Sequence, residues 1–298
     1  MKKYILTIDR GILFMLLASL SFAFMGGFAK VVSQTLPGVE VTFFRNVFGV
    51  AIVGFAIYKS PLKQIGGKPF LLIFRGVMGF LALLAYFYII AYMPLGEVVT
   101  YNKTSPIFVA IFAYIFLKEK LNIWAIFAII LGFIGIILIA QPQNNSFDKY
   151  DILGIFSGVG AALAYTSIRE LREYYDTRAI VMSFMGVGTL APLILMIITP
   201  YINPPKELDF MFSKFIMPNG ILWFYLIMMG LSATFSQIMM TKAYEYTKAG
   251  VVGTISYSNI IFATIIGISL GDDFPNLLTI LGIVLVIISG LLVAFNRD

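Results

Sequence analysis

The chain has no cysteine and no histidine, only two tryptophans, and charge on just 12% of its 298 residues. Without cysteine there are no disulfides and no thiol nucleophiles, and without histidine the commonest acid–base residue and zinc ligand is missing. A phosphate-cradling loop is missing too: Gly67-Lys68 is the single Gly-Lys pair, and Leu62 stands where such a loop needs its first glycine. The sequence therefore predicts no nucleotide hydrolysis, no metal site and no cofactor.

Apolar residues fill the space these absences leave. They make up 60% of the chain, and mean hydropathy is +0.93, more than a soluble domain of this length needs. Ten apolar segments can be marked, at 12–32, 40–57, 70–91, 97–117, 123–140, 152–168, 180–199, 221–240, 251–270 and 277–295. Their length fits membrane-spanning helices, whereas barrel strands would alternate apolar and polar residues over about ten positions. The first segment runs on to Gly27 without a small-residue cleavage site, so it reads as a span rather than a leader. With the N-terminus in the cytoplasm, 15 of the 21 lysines and arginines, Arg75 among them, fall on inner loops and 3 on outer loops. The remaining three, Lys30, Arg45 and Lys103, lie inside spans. This bias predicts both termini on the cytoplasmic side of a bacterial inner membrane. The net charge of +6 is then an orientation signal, and no nucleic-acid partner is expected.

The chain also repeats itself. Ala91-Tyr92 recurs as Ala243-Tyr244, Val98-Val99 as Val251-Val252 and Ser105 as Ser258; Leu117 before Lys118-Glu119-Lys120 recurs as Leu270 before Gly271-Asp272-Asp273. Ala18, Leu20 and Phe22 correspond to Ala161, Leu163 and Tyr165. Five spans followed by five related spans place the second copy upside down, because five is odd. The expected fold is an all-α integral membrane protein with ten transmembrane helices in two inverted five-helix repeats, residues 11–141 and 152–295.

Within each copy there is a small-residue first helix and an aromatic-rich third helix ending in Ala-Tyr. The fourth helix of the first copy reads Thr-Ser-Pro-Ile-Phe and ends in Leu-Lys-Glu-Lys. This pattern resembles the EamA-type drug/metabolite transporters over nearly the whole chain, most specifically at Pro106 and Glu119. The resemblance implies a ten-span carrier of amino acids, related metabolites or drugs, with a central cavity lined by the third, fourth, eighth and ninth helices. The second copy departs from the pattern, with Asn259 in place of Pro106 and Asp272 in place of Glu119.

The fourth span carries the sharpest candidates: Tyr101, Asn102, Lys103, Thr104 and Ser105, followed by Pro106. Lys103 lies about six residues into this span, roughly 9 Å deep at 1.5 Å per residue. An ammonium at the bilayer centre costs about 2.5–3.5 kcal/mol on insertion scales, so it needs a carboxylate, carbonyls, water or a substrate anion. Either it serves substrate or coupling, or it pairs with Glu97 or Glu40. Arg45 on the second span offers a fork for carboxylate or phosphate, against the simpler readings of a bridge to Glu40 or Glu97 or of snorkelling to the outer headgroups. Lys30, at the end of the first span, can snorkel. On the ninth span Thr254, Ser256, Tyr257, Ser258 and Asn259 form a second polar cluster, with Ser256 at the repeat position of Lys103. Gln237, Tyr86, Tyr88 and Tyr165 could complete the wall. Substrate-binding candidates are thus Lys103, Tyr101, Asn102, Arg45, Ser256, Tyr257, Asn259, Gln237, Tyr86 and Tyr165, and the 200–219 loop is expected at the outer surface.

These residues predict a secondary transporter, not an enzyme, that moves a small organic metabolite across the bilayer by alternating access. Three cations against two acids in its outer half favour an amino acid or related carboxylate-bearing compound. Export of drugs or amines, a membrane-embedded enzyme and a dry structural bundle are the competing readings. The sequence leaves monomer and homodimer, and the direction of transport, open.

Overall fold

The computed structural model of the chain describes residues 10–62, 66–117, 123–141, 147–171, 173–246, 252 and 255–295. The charged end Lys118, Glu119 and Lys120, together with Val251 and Thr254 of the ninth segment, lies outside the described residues. The regular elements are helices: α1 (Arg10–Val32), α2 (Gly38–Lys59), α3 (Pro69–Ile89), α4 (Leu95–Asn102), α5 (Ser105–Leu117), α6 (Ile123–Ala140), α7 (Lys149–Leu171), α8 (Thr177–Ile198), α9 (Gly220–Tyr246), α10 (Ser258–Ser269) and α11 (Leu277–Phe295). Six of these, α1, α2, α3, α7, α8 and α9, are long and apolar enough to cross a membrane, and apolar runs on α6, α10 and α11 are shorter. Large apolar side chains such as Leu190, Ile194, Phe224 and Leu281 stay exposed along these helices. Water would penalise such a surface and a bilayer would not.

Glycine sets how closely the helices approach. A Cβ on Gly135 of α6 would meet the Gly282 carbonyl of α11 at 2.8 Å, and one on Gly282 would meet the Gly135 carbonyl at 2.7 Å. Only backbone against backbone fits there, the small-residue packing that membrane helices favour. The principal pairings are α1 with α9, α6 with α11, α3 with α7 and α2 with α8, followed by α3 with α8, α1 with α10, α5 with α7 and α4 with α10.

The expected single helix over 97–117 is instead two. α4 stops at Asn102, Lys103 and Thr104 form a turn, and α5 begins at Ser105. Pro106 explains the stop: its ring displaces the carbonyl four residues back, on Asn102, and it has no N–H to donate. Thr104 patches the opening, its hydroxyl donating to the Tyr101 carbonyl at 2.6 Å while its own carbonyl accepts from Ile107 N–H at 2.9 Å. Gly158 of α7 lets the turn lie close, since a Cβ there would meet the Tyr101 carbonyl at 2.7 Å. The ninth segment breaks at the matching place: residues 255–256 are helical, Tyr257 is a turn, and α10 starts at Ser258.

Residues 199–219 carry two short 3-10 turns, and Asp209 among them is tied back to the bundle. Its carboxylate accepts from Tyr88 Oη at 3.0 Å and pairs with Lys149.

A candidate solute site at the helix breaks

Lys103 occupies the turn between α4 and α5, with φ −75° and ψ 0°, half-buried. Its ammonium has neither a hydrogen-bond nor an ion-pair partner among the described residues. The expected pairs with Glu97 and Glu40 are not formed, because both acids are engaged elsewhere. Glu40 accepts the Ile216 N–H at 3.0 Å, and Glu97 is held by the Thr279 side chain. Asn102 ends α4, half-buried. Tyr101 is wholly buried, and its hydroxyl donates to Asp151 at 2.7 Å, joining α4 to the start of α7.

On the other half, Tyr257 sits in the second turn, buried against Gly290 of α11, with its hydroxyl in no hydrogen bond among the described residues. Asn259 is buried and donates from Nδ2 to the Ser19 carbonyl of α1 at 2.8 Å. Ser256 precedes that turn, half-buried, and Gln237 lies half-buried on α9. Tyr86 is buried on α3, its hydroxyl beside Gly26 of α1. Tyr165 of α7 is 52% exposed.

Arg45 is buried on α2 and makes neither expected bridge, to Glu40 or to Glu97. Proline accounts for its setting. Pro192 inside α8 cannot donate to the Gly188 carbonyl four residues back. Asn46 takes that carbonyl from across the interface, Nδ2 donating at 3.1 Å, and it also donates to Thr42 of its own helix at 2.8 Å. The remaining oxygen of Asn46 then accepts from Arg45 Nη1 at 2.9 Å. A freed backbone group on one helix thus orients a cation on another. Arg75, counted as an inner-loop cation from sequence, is instead buried within α3. Its position seven residues into an apolar run was the available signal, and Pro192 was the signal for Asn46.

At the end of the bundle carrying the α3–α4 turn, Lys30 does not snorkel. It pairs with Asp272 just beyond α10 and donates to the Met93 carbonyl at 3.0 Å. Asp272 Oδ2 also accepts the Leu95 N–H at 2.8 Å, capping α4 from the other half of the chain. Gly96 and Gly267 allow this contact, since Cβ atoms there would meet Thr264 Cα at 3.1 Å and Leu95 Cβ at 3.0 Å. At the opposite end Lys68, outside the spans, pairs with Glu170, which raises its pKa above the usual lysine value. Among the described residues no group of three or more acids could hold a metal ion.

Comparison with known proteins agrees with transport. The EamA-like transporter family model matches residues 9–141 and again 148–295. An uncharacterized transporter of Helicobacter pylori (strain J99) is 34% identical, with 97% of this chain and 95% of that protein covered. A pseudopaline exporter of Pseudomonas aeruginosa is 31% identical over 94% of each chain. An S-adenosylmethionine uptake transporter of Rickettsia prowazekii is 22% identical, covering 96% of this chain and 93% of that one. A crystal structure of a protein only 15% identical superposes with a TM-score of 0.58 over 95% of each chain, which speaks to the fold alone. The chain belongs to the EamA-like transporter family.

Proposed function

We propose that the chain is a secondary transporter with ten spans in two inverted repeats, 11–141 and 152–295, moving a small organic solute by alternating access. The observation that carries this reading is Lys103. It is a cation with no partner among the described residues at a proline-induced helix break, and a second break, at Tyr257, stands at the matching place of the repeat. Broken helices with a site between inverted halves are the construction that secondary carriers use. The helix pairings support the repeat. Taking α4–α5 as one span and counting five spans on, α1 with α9 becomes α7 with α3, and α1 with α10 becomes α7 with α4–α5; both pairs are in contact. The α2–α8 and α6–α11 pairs map onto themselves.

The end closed by Lys30, Asp272 and Leu95 is the outer one in this reading, with both termini cytoplasmic and the solute reaching the breaks from inside. The solute is a carboxylate-bearing metabolite such as an amino acid, since unpaired cations repel amines. The relatives include both an exporter and an uptake transporter, so they favour neither direction.

Because the chain has no cysteine of its own, single cysteines at Lys103 and Ser256 report cleanly on water access. A carrier labels at both positions with membrane-impermeant thiol reagents, from one side or from each in turn; a dry bundle labels from neither. Proteoliposome flux of a solute selected by thermal shift against amino acids, organic acids, nucleotides and amines completes the test. Absence of flux for every solute that binds would sink the transporter reading.

A further inference from the structure

Two arginines from different helices share one aromatic ring. The guanidinium carbons of Arg45 on α2 and Arg75 on α3 lie 5.5 Å and 4.7 Å from the centroid of the Phe184 ring on α8. Both side chains are more than nine-tenths buried, Arg45 at 4% exposure and Arg75 at 7%. Neither has a carboxylate partner among the described residues. Arg45 Nε, Arg75 Nε and Arg75 Nη1 are buried without a hydrogen-bond partner among the described residues, and the bond from Arg45 Nη1 to Asn46 fixes direction without neutralising charge. Tyr165 of α7 lies within electrostatic reach of both guanidinium groups and is the exposed member of the group.

The crowding is built in. A Cβ on Gly79 of α3 would meet Arg75 Nη1 and Phe184 Cδ2, each at 2.8 Å, and one on Gly76 would meet the Ser183 carbonyl at 3.0 Å. Glycines at both positions let α8 lie against α3, with the Phe184 ring beside the Arg75 guanidinium.

Two like charges placed together out of water are among the most expensive arrangements a membrane protein can hold. A ring face offsets about 0.5–2 kcal/mol per cation, less than the cost of burying the charge. The acids of the neighbouring spans have other contacts: Glu40 accepts from Ile216 through one of its oxygens, Asp151 from Tyr101, Asp272 from Lys30 and Leu95, and Glu97 from Thr279. Among the described residues no acid pairs with either guanidinium, which leaves the counter-charge to a ligand, and paired guanidinium forks match carboxylates in shape as well as charge.

We propose that Arg45 and Arg75, with Phe184 between them and Tyr165 at the entrance, bind the transported solute, and that this solute is an organic anion carrying at least two carboxylates. The proposal rests on reading the chain as a carrier. One carboxylate would leave one guanidinium uncompensated and Lys103 besides; two or more approach neutrality.

The test uses the purified chain in nanodiscs of phosphatidylcholine, melted against succinate, glutarate and citrate, with butyrate and inorganic phosphate as controls. At least one of the three polycarboxylates raises Tm saturably by several degrees, and butyrate binds about tenfold more weakly or worse. Arg45→Met and Arg75→Met each weaken the effective polycarboxylate about tenfold or more. Without ligand, both variants melt no lower than the wild type, because each loses a buried unpaired charge. Guanidinium groups with a purely structural role would give the opposite sign, a lower Tm that ligand does not change. Should either variant fail to fold, phenylglyoxal modification of the wild type decides: the polycarboxylate protects Arg45 and Arg75, and butyrate does not.

Equal shifts with polycarboxylate and butyrate, or an undiminished response in a folded variant, overturn the proposal. So does loss of the polycarboxylate response in phosphatidylglycerol nanodiscs, which would make a lipid headgroup the occupant. Flux of some other solute with no polycarboxylate binding would overturn this site and leave the carrier standing. Polycarboxylate binding that depends on both arginines, without flux, would establish the site and count against the carrier.

Discussion

The two helix breaks occupy matching places in the two halves of the chain and are made differently. The first is forced by Pro106, patched by the Thr104 hydroxyl and occupied by a lysine with no partner among the described residues. The second has no proline. Ser258 Oγ donates to the Ile255 carbonyl at 2.7 Å, and Asn259, standing where Pro106 stands, reaches out to the Ser19 carbonyl of α1. At the first break Thr104 bonds within its own segment and the lysine has no partner among the described residues, whereas the second spends Asn259 on the neighbouring helix and carries no charge. In the proposed mechanism the first presents the solute-binding group and the second transmits motion to α1. Asp272 links the two halves, since it follows the second broken span and caps the beginning of the first.

The largest effect is expected at that link. Asp272→Ala leaves Lys30 without its counter-charge and the Leu95 N–H uncapped in a half-buried setting, a loss of about 3 kcal/mol. A marked fall in Tm of the detergent-solubilised protein measures it, and Asp272→Asn, which keeps an acceptor for Leu95, recovers part. An unchanged Tm would mean that the halves are held together elsewhere. Next comes Lys103→Ala, expected to slow proteoliposome flux about tenfold, equivalent to about 1.4 kcal/mol, with little change in Tm. Unchanged flux at equal amounts of folded protein would remove the charge difference between the breaks as a functional one. Ser256→Lys tests the same asymmetry from the other side: a second lysine at the repeat position is expected to lower stability by about 1–3 kcal/mol, visible as a lower Tm.

The apolar helices and the polar residues of the fourth and ninth segments were legible from apolar run length, and internal similarity pointed to a repeat. Lys103 stood out because an ammonium in a span always needs explaining. The breaks were less legible. Pro106 announces one, but an asparagine and a serine announce nothing without the repeat to align them. Arg75 was misplaced because counting cations on loops treats the first turns of a helix as loop, and burial depends on which neighbour a glycine row admits. The Asn46 bond to Gly188 joins helices far apart in sequence. Its donor could be any polar residue of the bundle, so the freed carbonyl at Pro192 was predictable and its partner was not. Tyr101 illustrates the converse: a hydroxyl in a polar cluster looks available until Asp151, fifty residues on, is placed beside it.

The smallest effect separates the two breaks most finely. Asn259→Ala removes one interhelical hydrogen bond in the bilayer, a contribution averaging about 0.6 kcal/mol and rarely above 1.7 kcal/mol. Its stability effect should be correspondingly slight, a small fall in Tm. Its effect on motion should be larger if the second break passes its tilt to α1 through this bond, because α1 carries Lys30, half of the ion pair at the end proposed to be the outer one. Loosened from Ser19, α10 could change its angle without drawing α1 along, and the closed end would release less often. Flux would then fall while solute binding, read by thermal shift, stayed constant. Asn259→Pro sharpens the point, since it supplies the first half's way of breaking a helix and removes the tie. If the second break matters only as a break, Asn259→Pro transports as well as the wild type; if the tie matters, it transports no better than Asn259→Ala.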